Sequence, residues 1–249
     1  MTIDYDLRGH AALVTGAGRR LGEAFARALA GAGCDVCLHY GATPAEALAA
    51  DLSLAHGVRT AALQADLADS QSAAALIDRA VDALGSIDLL VNSASIFEPL
   101  DFGGTGLADW QRHLAVNLTA PFVISQSFAR RLASRPGAIV NLLDWRALRP
   151  GPDHFAYTIS KAGLAAMTTS LAQALAPSIR VNGLALGAIL PPSGAPAENA
   201  SADDSPAAAA PLGRWATLQE TTDALLFLLA GPDFITGEIL HLDGGRHLT

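Results

Sequence analysis

The chain has 249 residues, 51% of them hydrophobic, with 23 glycines, which suffices for one large core and most simply for a single α/β domain over 1–249. A formal net charge of -8, with scattered arginines and a single lysine, offers no basic face and excludes binding along a nucleic-acid backbone. The start MTIDYDLRGH has neither a basic nor an apolar leader region, and no later run reaches the roughly 18 apolar residues of a membrane span, so a cytoplasmic protein is expected.

In chain order, AALVT, DVCLHY, RTAALQAD, IDLLVN, GAIVNLL, IRVNGLAL and EILHLD have strand composition and alternate with alanine- and leucine-rich stretches of helical period. That alternation predicts a parallel, doubly wound sheet of the Rossmann type with helices on both faces. At the first strand-to-helix junction, Thr15-Gly16-Ala17-Gly18-Arg19-Arg20-Leu21-Gly22 lets backbone approach a pyrophosphate at a helix N-terminus. It departs from GxGxxG, because the third glycine would fall on Leu21. The second strand holds Cys37, with Cys34 just before it. Positions three apart on a strand face opposite ways and no further ligands stand at motif spacing, so both are predicted to be core cysteines and no metal site is expected.

That strand ends at His39 and Tyr40 without the acid that would hold the 2′-hydroxyl of NAD, while Arg19 and Arg20 can neutralise a 2′-phosphate; this predicts NADPH as the cofactor. Later, Tyr157 and Lys161 stand one helical turn apart, so both project from one face. A lysine can lower a neighbouring phenol by roughly 1–3 units toward the range useful for acid catalysis. Lys161 is the one lysine beside fifteen arginines, and a point ammonium can reach a ribose and a phenol where a planar guanidinium cannot. The stretch 191–211 has five prolines and no large apolar side chain; with the segments that flank it, 188–213 is predicted to be a mobile substrate lid.

These signals, with Asp66-Leu67, Asn92-Ser93-Ala94-Ser95, Asn117 in HLAVNLTAP and the ending LDGGRHLT, resemble the short-chain dehydrogenase/reductase family in order and spacing. The resemblance implies a seven-stranded sheet, Tyr157 as acid/base, Lys161 on the nicotinamide ribose and Asn117 supporting a proton-relay water. It also implies a cofactor site lined by Gly16, Arg19, Arg20, Leu21, Asp66, Leu67, Asn92 and Gly187, and a homotetramer. The sequence departs from the family pattern at Arg20, where glycine is usual, at Ser93, at Leu186, and above all at Asp144, which takes the place of the catalytic serine. A carboxylate about 4 Å from a ketone oxyanion costs on the order of 4 kcal/mol at an effective dielectric near 20, roughly a thousandfold in rate.

An imine substrate reverses that argument, since its nitrogen must gain a proton. Arginine in the glycine loop, Asp144 thirteen residues before Tyr157, and Asn92-Ser-Ala-Ser95-Ile-Phe97 resemble the pteridine and dihydromonapterin reductase branch. By that resemblance Phe97 stacks on a pterin with Ser95 and Arg20 nearby, and Asp144 and Tyr157 manage the proton; Phe97 also fits an ordinary core position. The expected activity is NADPH-dependent reduction of a dihydropterin. A carbonyl reductase acting on a sugar, steroid or acyl thioester, and a non-catalytic NADP-binding sensor, are the alternatives. The tail carrying Arg246 and His247 either reaches a neighbouring subunit's site or is a frayed end.

Overall fold

The computed structural model describes residues 5–189 and 209–249. Seven parallel strands form one sheet in the order β3-β2-β1-β4-β5-β6-β7: β1 Ala11–Val14, β2 Asp35–Tyr40, β3 Thr60–Gln64, β4 Leu89–Asn92, β5 Gly137–Asp144, β6 Ile179–Leu186 and β7 Ile239–Leu242. All seven coincide with the runs predicted from composition. Parallel strands need crossovers, and the alanine- and leucine-rich stretches supply them as helices on both faces.

One face is covered by α1 (Arg20–Gly31), α2 (Glu46–His56) and α8 (Leu218–Ala230), through Phe25, Leu29, Leu52 and Leu225 against Val14, Val36 and Leu38. The other is covered by α3 (Ser70–Ala74), α4 (Leu76–Leu84), α6 (Ala120–Leu132) and α7 (Phe155–Leu175), through Ile77, Ile124, Phe128 and Ala172 against Leu13, Leu90 and Ile139. Phe25 and Phe128 are wholly buried, each contributing about 1.5–3 kcal/mol of transfer free energy. Cys34 joins the first core and Cys37 the second, as the strand period requires, and burial pushes both thiols well above their usual range. Both are free thiols, and among the described residues no cluster of three or more potential metal ligands occurs.

The sheet order reverses between β1 and β4, and ligands of open α/β sheets bind in the crevice at such a point. Here the loops after the two strands touch. The Thr15 hydroxyl accepts from the backbone N–H of Ser93 (2.9 Å) and of Ala94 (3.0 Å), and a Cβ on Gly16 would stand 2.9 Å from Ala94 Cα. Gly22 is needed in turn because its Cβ would meet the Gly16 carbonyl oxygen at 2.1 Å. Among the described residues β7 pairs only with β6 and is partly exposed along its length, so it forms an edge of the sheet. Most of the predicted lid, residues 190–208, lies outside the described residues.

Candidate active site

The glycine loop opens α1 at Arg19, whose own side chain makes no capping bond to the first turn. A helix N-terminus beside a glycine loop fits a pyrophosphate. Arg20 has a φ of 55°, a left-handed conformation that L side chains adopt at a cost, which accounts for the glycine usual at that position. Arg19 and Arg20 are exposed at the rim, and Leu21 is partly buried against the first core. His39 lies beneath the loop. It is buried, its Nδ1 accepts from Gly16 N–H (3.2 Å) and its Nε2 donates to the Ala65 carbonyl (3.2 Å). Burial holds its pKa below the usual histidine value, and with both ring nitrogens engaged it supports the loop instead of lining it.

One expectation at this end needs correction. Glu46, at the start of α2, accepts a hydrogen bond from the Tyr40 hydroxyl, so a carboxylate does stand by the end of β2 although the strand's own residues contain none there. Asp66 caps its own turn by accepting from Ala68 N–H at 2.9 Å, Leu67 is buried, and Gly187 closes β6 by donating to the Leu242 carbonyl at 3.0 Å. The Asn92 side-chain NH2 is engaged inside the sheet, while its buried Oδ1 has no hydrogen-bond partner among the described residues. The NH2 donates to Asn141 Oδ1 at 2.8 Å, and Asn141 donates to Thr168 at 2.9 Å.

Asn117 sits wholly buried in a π-helical turn, Ala115–Thr119, between α5 (Leu107–Leu114) and α6. Such turns recur at functional sites. Its amide donates to the Ile96 carbonyl and the Ser160 hydroxyl (both 3.0 Å), while its oxygen accepts from Ile96 N–H (2.9 Å) and the Ser95 hydroxyl (3.2 Å). It therefore ties the loop after β4, which carries Ser95 and Phe97, to α7.

That helix buries Tyr157, Ser160, Lys161, Leu164, Thr168 and Ala172 along one stripe. The Tyr157 hydroxyl donates to Asp144 Oδ2 at 3.1 Å, and Lys161 Nζ donates to the Leu142 carbonyl at 2.7 Å. The sequence predicted a phenol lowered by the ammonium; the geometry reverses this. Burial and then the adjacent Asp144 carboxylate push the Tyr157 phenol well above its usual value, while Nζ lies 5.8 Å from the ring centroid. Burial also lowers Lys161 to about 8, against the opposing pull of Asp144. The phenol is thus held as a proton donor, with a carboxylate beside it to accept.

Sequence reasoning missed what surrounds Asp144. In the single 3-10 turn after β5, Trp145–Ala147, Arg146 N–H donates to Asp144 Oδ1 (2.9 Å) and the guanidinium lies 3.6 Å from the same oxygen. The guanidinium also donates to Asp153 Oδ2 at 2.9 Å, and Asp153 accepts from His154 at 3.0 Å. An arginine two residues after Asp144 and an Asp-His pair just before Tyr157 were the available signals, but only the turn shows that they meet. The tail is not frayed. Arg246 lies over the Trp145 ring (4.9 Å to its centroid), Arg149 donates to the His247 carbonyl (3.3 Å), and His247 pairs with Asp243 (2.9 Å). Arg246 and His247, either of which was expected to reach a neighbouring subunit, both make contacts within their own chain.

A doubly wound sheet, a glycine loop at its switch point and a buried Tyr157-Lys161 pair define a dinucleotide-dependent oxidoreductase. The family model described as enoyl-(acyl carrier protein) reductase matches residues 16–247. The chain belongs to the short-chain dehydrogenase/reductase family and is an NAD(P)-dependent oxidoreductase. It is 32% identical to 3-oxoacyl-(acyl-carrier-protein) reductase of Aquifex aeolicus over 98% of this chain and 99% of that one. It is 34% identical to D-threitol dehydrogenase of Mycolicibacterium smegmatis over 98% of this chain and 96% of the relative. Among solved structures, FolM alternative dihydrofolate reductase 1 from Brucella canis, complexed with NADP, is 35% identical with a TM-score of 0.88 over 98% of this chain and 96% of that one. Among the described residues no helix is long and apolar enough to cross a membrane.

Proposed function

We propose that the protein is an NADPH-dependent reductase of a dihydropterin, acting on a ring carbon–nitrogen double bond. The observation that carries this reading is the Asp144 carboxylate at 3.1 Å from the Tyr157 hydroxyl, where a ketone reductase needs a neutral donor. A ketone oxygen becoming an anion beside Asp144 is repelled. A ring nitrogen gaining a proton is not. The solved FolM structure at 35% identity supports the same substrate class.

When bound, NADPH supplies a hydride, which forms the new C–H bond as the C=N pair of electrons takes up one proton at nitrogen. Tyr157 is placed to deliver that proton, and Asp144 orients the phenol and relays a replacement from solvent. Lys161 and the glycine loop with Arg19 and Arg20 hold the cofactor, the arginines favouring its 2′-phosphate, and Phe97, Ser95 and Arg20 contact the pterin. The stretch 188–213 acts as the substrate lid, and the enzyme assembles as a homotetramer.

The test is NADPH oxidation against dihydromonapterin, dihydrobiopterin, dihydrofolate and a panel of ketones. Turnover of a dihydropterin at least tenfold above the best ketone is expected. A preference for a ketone removes the reading, and tight NADPH binding without turnover on either panel points to the sensor instead.

A further inference from the structure

Six side chains form a closed ring around the mouth of the site. Tyr157 donates to Asp144; Asp144 meets Arg146; Arg146 donates to Asp153; Asp153 accepts from His154; and the His154 imidazole lies against Phe97, ring centroids 4.0 Å apart and planes 12° from parallel. Phe97 closes the ring by meeting Tyr157 at 4.6 Å with the planes at 83°. The acid, its carboxylate partner and the exposed aromatic are thereby held in one frame, in which His154 has no contact with the reacting groups except through its neighbours.

Two observations set His154 apart from a casual neighbour. Its backbone is left-handed, with a φ of 50°, in a residue that is not glycine. Such conformations persist only where surrounding contacts enforce them, and they concentrate at ligand sites. Here the enforcement is visible. The Phe155 N–H donates to the Leu100 carbonyl (2.7 Å), on the loop that carries Phe97, and the His154 carbonyl accepts the first bond of α7 from Thr158 (2.8 Å). Second, the stack covers part of Phe97 yet leaves it 50% exposed, so the ring has a firm backing and an open surface.

We infer that His154 is a positioning residue for substrate: tied through Asp153 and Arg146 to Asp144, it fixes the plane of Phe97 relative to Tyr157, so that the site selects a flat heteroaromatic ring. This rests on the dihydropterin reading above. An unbacked Phe97 would rotate and lose orientation on binding a flat ring, whereas a small aliphatic ketone makes no use of that plane.

The experiment measures dihydropterin KM and kcat, NADPH Kd, and the Kd of a 2,4-diaminopteridine for the NADP-loaded full chain, in His154→Ala, His154→Phe, Asp153→Asn and Phe97→Ala. His154→Ala should raise KM and the diaminopteridine Kd about fivefold to tenfold, the scale of one aromatic stack, with kcat within about twofold and NADPH Kd unchanged. His154→Phe should restore both, because it keeps a parallel ring. Asp153→Asn, which leaves the imidazole in place but slackens its tether, should give a smaller loss in the same direction. In a Phe97→Ala background His154→Ala should add nothing, since the two act as one unit.

An undiminished diaminopteridine affinity in His154→Ala, or an equal loss with Phe97 already removed, overturns the inference. Should the wild type bind the diaminopteridine yet reduce no dihydropterin, the proposed activity fails while the affinities of the variants still decide the role of His154. Absence of diaminopteridine binding to the wild type overturns both. If His154→Ala does not fold, Asp153→Asn and the rescue variant carry the same comparison.

Discussion

Replacing Lys161 by methionine removes a charge that the fold buries at a cost, and the structure sets the size of that cost. The ammonium is 3% exposed and its hydrogen bond is to the Leu142 carbonyl, with Asp144 acting only at a distance. Burial brings its pKa to about 8 from 10.5. That gap corresponds to about 3 kcal/mol by which the charged form destabilises the cofactor-free fold. The sign follows from proton counting. Between the two values the unfolded chain still holds its proton while the folded chain has released it, so stability rises with pH across this window. Below about 8 both states are protonated and the full cost is present.

The methionine variant has no such term, although it leaves the Leu142 carbonyl short of a partner, a loss on the order of 1–3 kcal/mol that is the same at every pH. Urea unfolding of both cofactor-free proteins from pH 7 to pH 10 should therefore show wild type gaining on the variant by about 2–3 kcal/mol. Turnover should fall at least a hundredfold in the variant, since the proposed hold of the ammonium on the nicotinamide ribose is lost. A stability difference that stays flat over this range would refute the assignment of a buried, weakly paired ammonium.

Asp144→Ser removes the charge next to Tyr157 and supplies a donor; ketone kcat/KM should rise about a hundredfold, less than the full Coulomb figure because the Arg146 guanidinium 3.6 Å away already offsets part of it, and dihydropterin turnover should fall. No gain on any ketone in the same NADPH assay would remove the electrostatic argument. Arg20→Gly relieves a left-handed backbone and should stabilise the fold by about 1 kcal/mol in thermal unfolding while weakening NADPH more than NADH, and loss of stability would show that the arginine side chain outweighs the strain. Truncation after Gly245 strips Arg246 from the Trp145 ring and should raise the dihydropterin KM several-fold with NADPH Kd nearly constant; an unchanged KM would leave the tail without influence on the turn that carries Asp144.

Local pattern was enough for the seven strands, the glycine loop and the one-turn spacing that puts Tyr157 and Lys161 on a common face, because each depends on residues a few positions apart. The opposite placement of Cys34 and Cys37 followed from the strand period in the same way. What no local rule could supply was the sign of the interactions at the site. Lys161 is near Tyr157 along the helix, but Asp144 reaches the phenol from β5 at hydrogen-bond distance, and burial of α7 against the sheet acts on both groups, so the phenol is raised where sequence spacing argued for lowering. Glu46 meets Tyr40 only because α2 folds back over the end of β2, and Arg146, Asp153 and His154 join Phe97 only because the turn after β5 and the entry to α7 converge on the loop after β4. Periodicity encodes which face a residue takes; the charges and rings it will meet there depend on chain segments far away in sequence, and those are brought together only by the packed sheet.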